Sequence, residues 1–141
     1  MIDTNVFVAA AYNPKSASRK ILCGVETGEF KLIVSPEIVR EYETVLPKAI
    51  RSTDAAVRVR LSIQLAAYVA PHEGPSVTVA RSDDKFLVAA VAGQAKAVIT
   101  NDEHLLAVHP YEGIQILQPA VFWDRIQVVR GKKPHCAGRR G

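Results

Sequence analysis

The sequence predicts an α/β fold with a mainly parallel sheet covered by helices on both faces. Three observations predict it. Short apolar runs rich in branched residues recur as strand candidates. Longer segments between them carry helix-start and helix-stop residues. The two kinds alternate along the chain, as a parallel sheet with crossover helices requires.

The opening "MIDTNVFVAA" sets Asp3, Thr4 and Asn5 against an apolar run, with Asp3 following the first strand. "NPKSAS" turns into a helix capped by Ser16 or Ser18, which runs through Ile21, Leu22 and Val25 and stops near Gly28. "FKLIVS" reads as a buried strand. "SPE" then supplies an N-cap, a proline at the first helical position and an early acid, and it starts the helix carrying "EIVREYETVL". In "DAAVRVRLSIQLAAYVAP", Val57, Val59, Leu61, Ile63 and Leu65 alternate as in a strand. Val57, Leu61, Leu65 and Tyr68 also follow helical spacing, and length and alanine content favour the helix. After the loop "HEGPS" comes "SDDKFLVAAVAGQ", a helix capped by Ser82 or Asp83 and closed by Gly93. "AVIT" is a strand, "NDEHLLAV" a short helix, "GIQILQP" a strand and "PAVFWDRI" a last helix, with Phe122 and Trp123 assigned to core.

Two units follow: a domain over 1–128 and a basic, disordered tail over 129–141. The chain of 141 residues carries a formal charge of +4, yet "RGKKPHCAGRRG" holds five of its 18 basic residues and no acid. Without them, 13 basic residues face 14 acids, so the body is slightly acidic. Overall charge therefore does not argue for nucleic-acid binding by basic residues. No apolar run is long enough to span a membrane, and no basic segment precedes "VFVAAAY" as a secretory signal would require. Cys23 and Cys136 have no metal-type spacing. They imply a reduced, cytoplasmic protein without structural zinc or a disulfide framework.

Four places put a carboxylate beside predicted core: Asp3; Glu41, with Glu43 as competitor; Asp83-Asp84; and Asp102. In such sheets, sites lie outside the carboxyl ends of strands. Asp3 and Asp102 both fall there. Each acid also has a plainer reading. Asp3 suits a turn, Asp83 an N-cap, Asp84 the positive end of a helix, and Asp102 the cap of the helix after it. Glu41 and Glu43 flank the stripe Ile38, Val39, Tyr42, Val45 and Leu46 about equally, and the pattern does not choose between them. None of these acids has a basic neighbour at helical pairing distance that obviously neutralises it, though Lys85 and Arg81 are close in sequence. Clustered carboxylates repel one another, and a hard divalent cation relieves the conflict. Mg²⁺ or Mn²⁺ in such a pocket suits phosphodiester hydrolysis.

The segments "DTNVFVAA", "VSPEIVREYETVL", "DDKFLVAAVAGQAKAVIT" and "NDEHLL" resemble, in order, a PIN-domain protein of the type found as toxins of toxin–antitoxin systems. The resemblance implies a three-layer α/β/α sandwich and a Mg²⁺- or Mn²⁺-dependent ribonuclease. It implies Asp3, Glu41, Asp84 and Asp102 as the catalytic, metal-binding acids, and so selects Glu41 over Glu43. Thr4, Asn5, Asp83 and Thr100 fall where the family's supporting groups lie. It further implies an RNA substrate, an antitoxin protein as partner and a homodimer, while the lack of a spanning apolar run predicts no membrane association. Three departures stand out: only Met1 and Ile2 precede Asp3, His104 replaces an acid often found there, and the loop before "DDKF" is short. The first two motivate an alternative, a PIN-like module that binds RNA or protein without cutting. A phosphoacceptor receiver domain is set aside, because no lysine follows "AVIT" and "KLIVS" ends in Ser35 rather than an acid.

Overall fold

The computed structural model describes residues 1–70 and 84–130. In order these form α1 (Thr4–Tyr12), α2 (Ala17–Glu26), β1 (Ile33–Val34), α3 (Pro36–Ala49), α4 (Thr53–Gln64), β2 (Ala67–Tyr68), α5 (Asp84–Ala92), β3 (Ala97–Ile99), α6 (Glu103–Leu106), β4 (Gln115–Leu117) and α7 (Pro119–Arg130). The expected caps Ser82 and Asp83, and the tail from 131 onward, lie outside the described residues.

Helix starts follow local chemistry. Ser16 accepts the Arg19 N–H, Ser35 the Ile38 N–H and Ser52 the Ala55 N–H, each satisfying a donor that the first turn leaves open. Ser16, not Ser18, is thus the cap of α2. Pro36 occupies the first turn of α3, with Glu37 beside it. Gly28 follows α2 with φ +86°, a conformation that costs glycine little.

The strands are parallel but short. β1 pairs with β2, with Ile33 opposite Ala67, and β3 pairs with β4, with Ala97 opposite Gln115. Among the described residues the strands thus form two two-stranded parallel pieces where the single sheet of a three-layer sandwich was expected. The first strand is reduced to Ile2, which forms a parallel bridge with Ile99. The Ile99 N–H donates to the Met1 carbonyl and the Asp3 N–H to the Ile99 carbonyl, both at 2.9 Å.

Three expectations need correction. The run after Asp3 is a helix, α1, that the sequence order omitted. Three successive alanines at 9–11 sustain it, and its side buries Val6, Phe7 and Ala10. The long segment from Asp54 is not one helix. It ends at Gln64, and Ala67-Tyr68 turn into β2 along β1. Cys23 is buried and disulfide-bonded, against the reduced reading.

One core joins Phe7, Leu22, Leu32 and Val34 to Ile38, Tyr42, Phe86, Leu87, Val98, Leu105 and Ile116. Trp123 belongs to it and Phe122 packs against it. Phe7 and Tyr42 meet edge to face with centroids 5.1 Å apart, joining α1 to α3. Arg58 of α4 grips Glu26 of α2 through two nitrogens, at 3.0 and 2.6 Å.

Candidate functional site

Asp3 sits where chain direction changes. Its N–H completes the bridge to Ile99, and its extended backbone (φ −68°, ψ 147°) precedes the first turn of α1 without its side chain capping that helix. The plain turn-or-cap reading therefore leaves the carboxylate unexplained. Asp3 as a whole is 7% exposed. It accepts the Thr100 hydroxyl at 2.7 Å and a hydrogen bond from the Thr4 N–H.

Thr100 is fully buried at the carboxyl end of β3. Its hydroxyl donates to Asp3 and accepts the Asp102 N–H at 2.9 Å. One oxygen thereby fixes two acid-bearing segments. Asp102 is half-buried, and its Oδ1 accepts the His104 N–H at 2.8 Å, capping α6. His104 contributes that backbone donor, and its side chain is exposed.

Glu41 arrives from α3. Its Oε2 accepts the Thr4 hydroxyl, and its Oε1 pairs with Lys85 Nζ at 2.7 Å. Glu43 is exposed on the same helix. Next to Glu41, the buried Tyr42 hydroxyl donates to the Ile2 carbonyl, tying α3 to the segment that carries Asp3.

The electrostatics agree with the geometry. Burial pushes the Asp3 carboxyl above its ordinary value. The Thr100 and Thr4 hydrogen bonds oppose the shift, while the negative charges of Asp102 and Glu41 add to it. Burial, followed by the charges of Asp3 and Glu41, likewise raises the Tyr42 phenol. Thus three of the four expected acids share one electrostatic neighbourhood. Asp84 is placed by its backbone alone, as the first residue of α5, next to Lys85. Thr4 and Thr100 stand in contact with the acids as expected, Asn5 is exposed, and Asp83 lies outside the described residues.

The donor set is all carboxylate and hydroxyl oxygen, which fits a hard divalent cation. Among the described residues, no three acidic, histidine or cysteine side chains stand close enough to form a finished metal site. Glu41 turns to Thr4 and Lys85, and Asp102 to the start of α6.

Two residues of this neighbourhood escaped the sequence reading. Tyr42 looked like one more member of an apolar stripe. Lys85 neutralises an acid on another helix, a relation that pairing rules within one helix do not reach.

Residues 1–104, well over half of the chain, match the family model described as PIN domain. No curated protein and no solved structure matches the chain.

Proposed function

The chain belongs to the PIN-domain family, a nuclease-like family whose members generally use divalent metal ions, and from that premise we propose that it is a metal-dependent endoribonuclease. The observation carrying this reading is the convergence of Asp3, Glu41 and Asp102 around the Thr100 and Thr4 hydroxyls, close enough for Asp102 and Glu41 to raise the Asp3 pKa.

In this proposal Asp3, Glu41, Asp84 and Asp102 hold Mg²⁺ or Mn²⁺. The bound ion supplies charge for the scissile phosphate and lowers the pKa of a water nucleophile. Thr100 holds Asp3 and the Asp102 backbone in register. Thr4 orients Glu41. Burial of Asp3 excludes bulk water from one side of the pocket and strengthens every charge interaction within it. No covalent protein nucleophile is required. RNA is the proposed substrate, a small inhibitory antitoxin the proposed partner, and a homodimer the proposed assembly.

The test is cleavage of a fluorogenic single-stranded RNA with Mn²⁺. Glu41→Gln and Asp102→Asn should each lower the rate at least as much as the roughly 10–100-fold typical for loss of an outer-sphere partner. EDTA should abolish it. Cleavage that persists in EDTA and in both variants would refute the proposal. A second reading, binding without turnover, is favoured by the single rung at Ile2 and the absence of a finished three-acid cluster among the described residues. It prevails if the protein binds RNA but shows no Mn²⁺-dependent turnover.

A further inference from the structure

Glu41 already carries a cation. Lys85 Nζ lies 2.7 Å from its Oε1, although the two residues belong to different helices, α3 and α5. This is not an ordinary surface ion pair. The Lys85 side chain is 15% exposed and that of Glu41 28%. The second Glu41 oxygen accepts the Thr4 hydroxyl. Both oxygens are therefore engaged by this chain's own groups.

A divalent ion taking Glu41 meets these two groups differently. The Thr4 hydroxyl is neutral, and holding one carboxylate oxygen leaves the other available. Lys85 is a like charge and cannot remain at contact distance from an ion on the same carboxylate. Its stem is long and flexible and its ammonium is a compact point charge, so Nζ can leave while α5 stays in place. Phe86 gives the ammonium a further resting surface, with its ring centroid 5.3 Å from Nζ. Without a metal, the same ammonium balances the charge of Glu41.

We propose that Lys85 is a resident counter-ion: it occupies Glu41 in place of a divalent cation and sets how tightly that cation binds. The inference rests on the metal-dependent reading above. It makes Lys85 a positioning residue that acts through Glu41. Neutralising it has two effects of opposite sign. The metal-free protein loses a partner for Glu41 and becomes less stable. The ion no longer competes with an ammonium and binds more tightly. A purely structural ion pair produces only the first effect.

The experiment titrates Mn²⁺ into the full chain by calorimetry and measures Tm with and without Mn²⁺ for wild type, Lys85→Gln, Lys85→Met and Lys85→Arg. Lys85→Gln should lower the metal-free Tm and tighten Mn²⁺ binding about tenfold, the scale expected for removing one nearby like charge at a partly screened site. Lys85→Arg should bind as wild type does. Lys85→Met keeps the apolar stem beside Phe86 and is judged by the same criterion if Lys85→Gln does not fold. Unchanged or weaker Mn²⁺ affinity in both neutral variants, with binding by wild type, overturns the role of Lys85 and leaves the metal site standing. Binding by a neutral variant but not by wild type supports Lys85 as counter-ion and overturns metal dependence of the natural chain. If neither binds, both readings fall.

Discussion

Asp3 is held by groups that favour its charge and enclosed by surroundings that oppose it. The Thr100 hydroxyl and the Thr4 N–H stabilise the carboxylate, while burial and the charges of Asp102 and Glu41 raise its pKa above the ordinary 3.8. The folded state therefore retains a proton over a range where the unfolded chain has lost it. Stability falls as pH rises through that range. Asp3→Asn removes the charge and keeps an oxygen to accept the Thr100 hydroxyl. Its metal-free Tm at pH 7.5 should rise by roughly 2–4 °C, the shift that ~1 kcal/mol gives at this size. Stabilisation by Mn²⁺ should disappear. Scanning calorimetry with and without Mn²⁺ reads both; a metal-free Tm below wild type would show that the carboxylate's hydrogen bonds outweigh its burial. The same scale explains what the sequence could not resolve. Glu41 and Glu43 straddle one helical stripe, and only the tertiary neighbours Thr4 and Lys85 distinguish them.

Among the elements, α3 was legible from its serine, proline and glutamate start, and β3 from a branched apolar run ending at Thr100. α1 and β2 were not. Val6, Phe7 and Val8 carry strand-like composition into a helix, and a two-residue strand such as Ala67-Tyr68 shows too few alternations to stand out from the helix before it. Composition is a weak guide once a segment's partners are far away in sequence. What α3 does beyond presenting Glu41 was likewise hidden, because Tyr42 reads as core until its hydroxyl is seen on the Ile2 carbonyl. Tyr42→Phe keeps the edge-to-face contact with Phe7 and leaves that buried carbonyl without its partner. The expected cost is about 1–3 kcal/mol of stability, with a several-fold loss in Mn²⁺ affinity as α3 and the Asp3 segment lose their common register. Urea denaturation and a Mn²⁺ titration of the one variant measure the two effects; full retention of affinity would show that Tyr42 supports the fold and not the site.

At the level of the whole molecule, the two parallel strand pairs leave Met1 and Ile2 lining a cavity of about 430 Å³ together with Leu32, Ile33, Ala97 and Phe122. The alternation of elements predicted parallel strands correctly. It could not predict where pairing would stop, because that depends on the single rung Ile2 forms with Ile99. The Met1 amino group is buried at this point and donates to the Ala97 carbonyl at 3.4 Å, a long bond that compensates poorly for lost water. Burial lowers its pKa from 8.0 to about 5. Here the sign is opposite to that of Asp3. Between pH 5 and 8 the unfolded chain binds the proton and the folded chain does not, so stability rises with pH across this window and levels off above 8. The whole interval is worth up to about 4 kcal/mol. Denaturation midpoints between pH 5.5 and 8.5 should follow this slope. Acetylating the amino terminus removes the titrating charge, and the apolar cavity beside Met1 offers room for the added group. The acetylated chain should show a flat profile over the same range. An equal slope in both forms would place the titration elsewhere and show that the amino group keeps its proton in the folded chain.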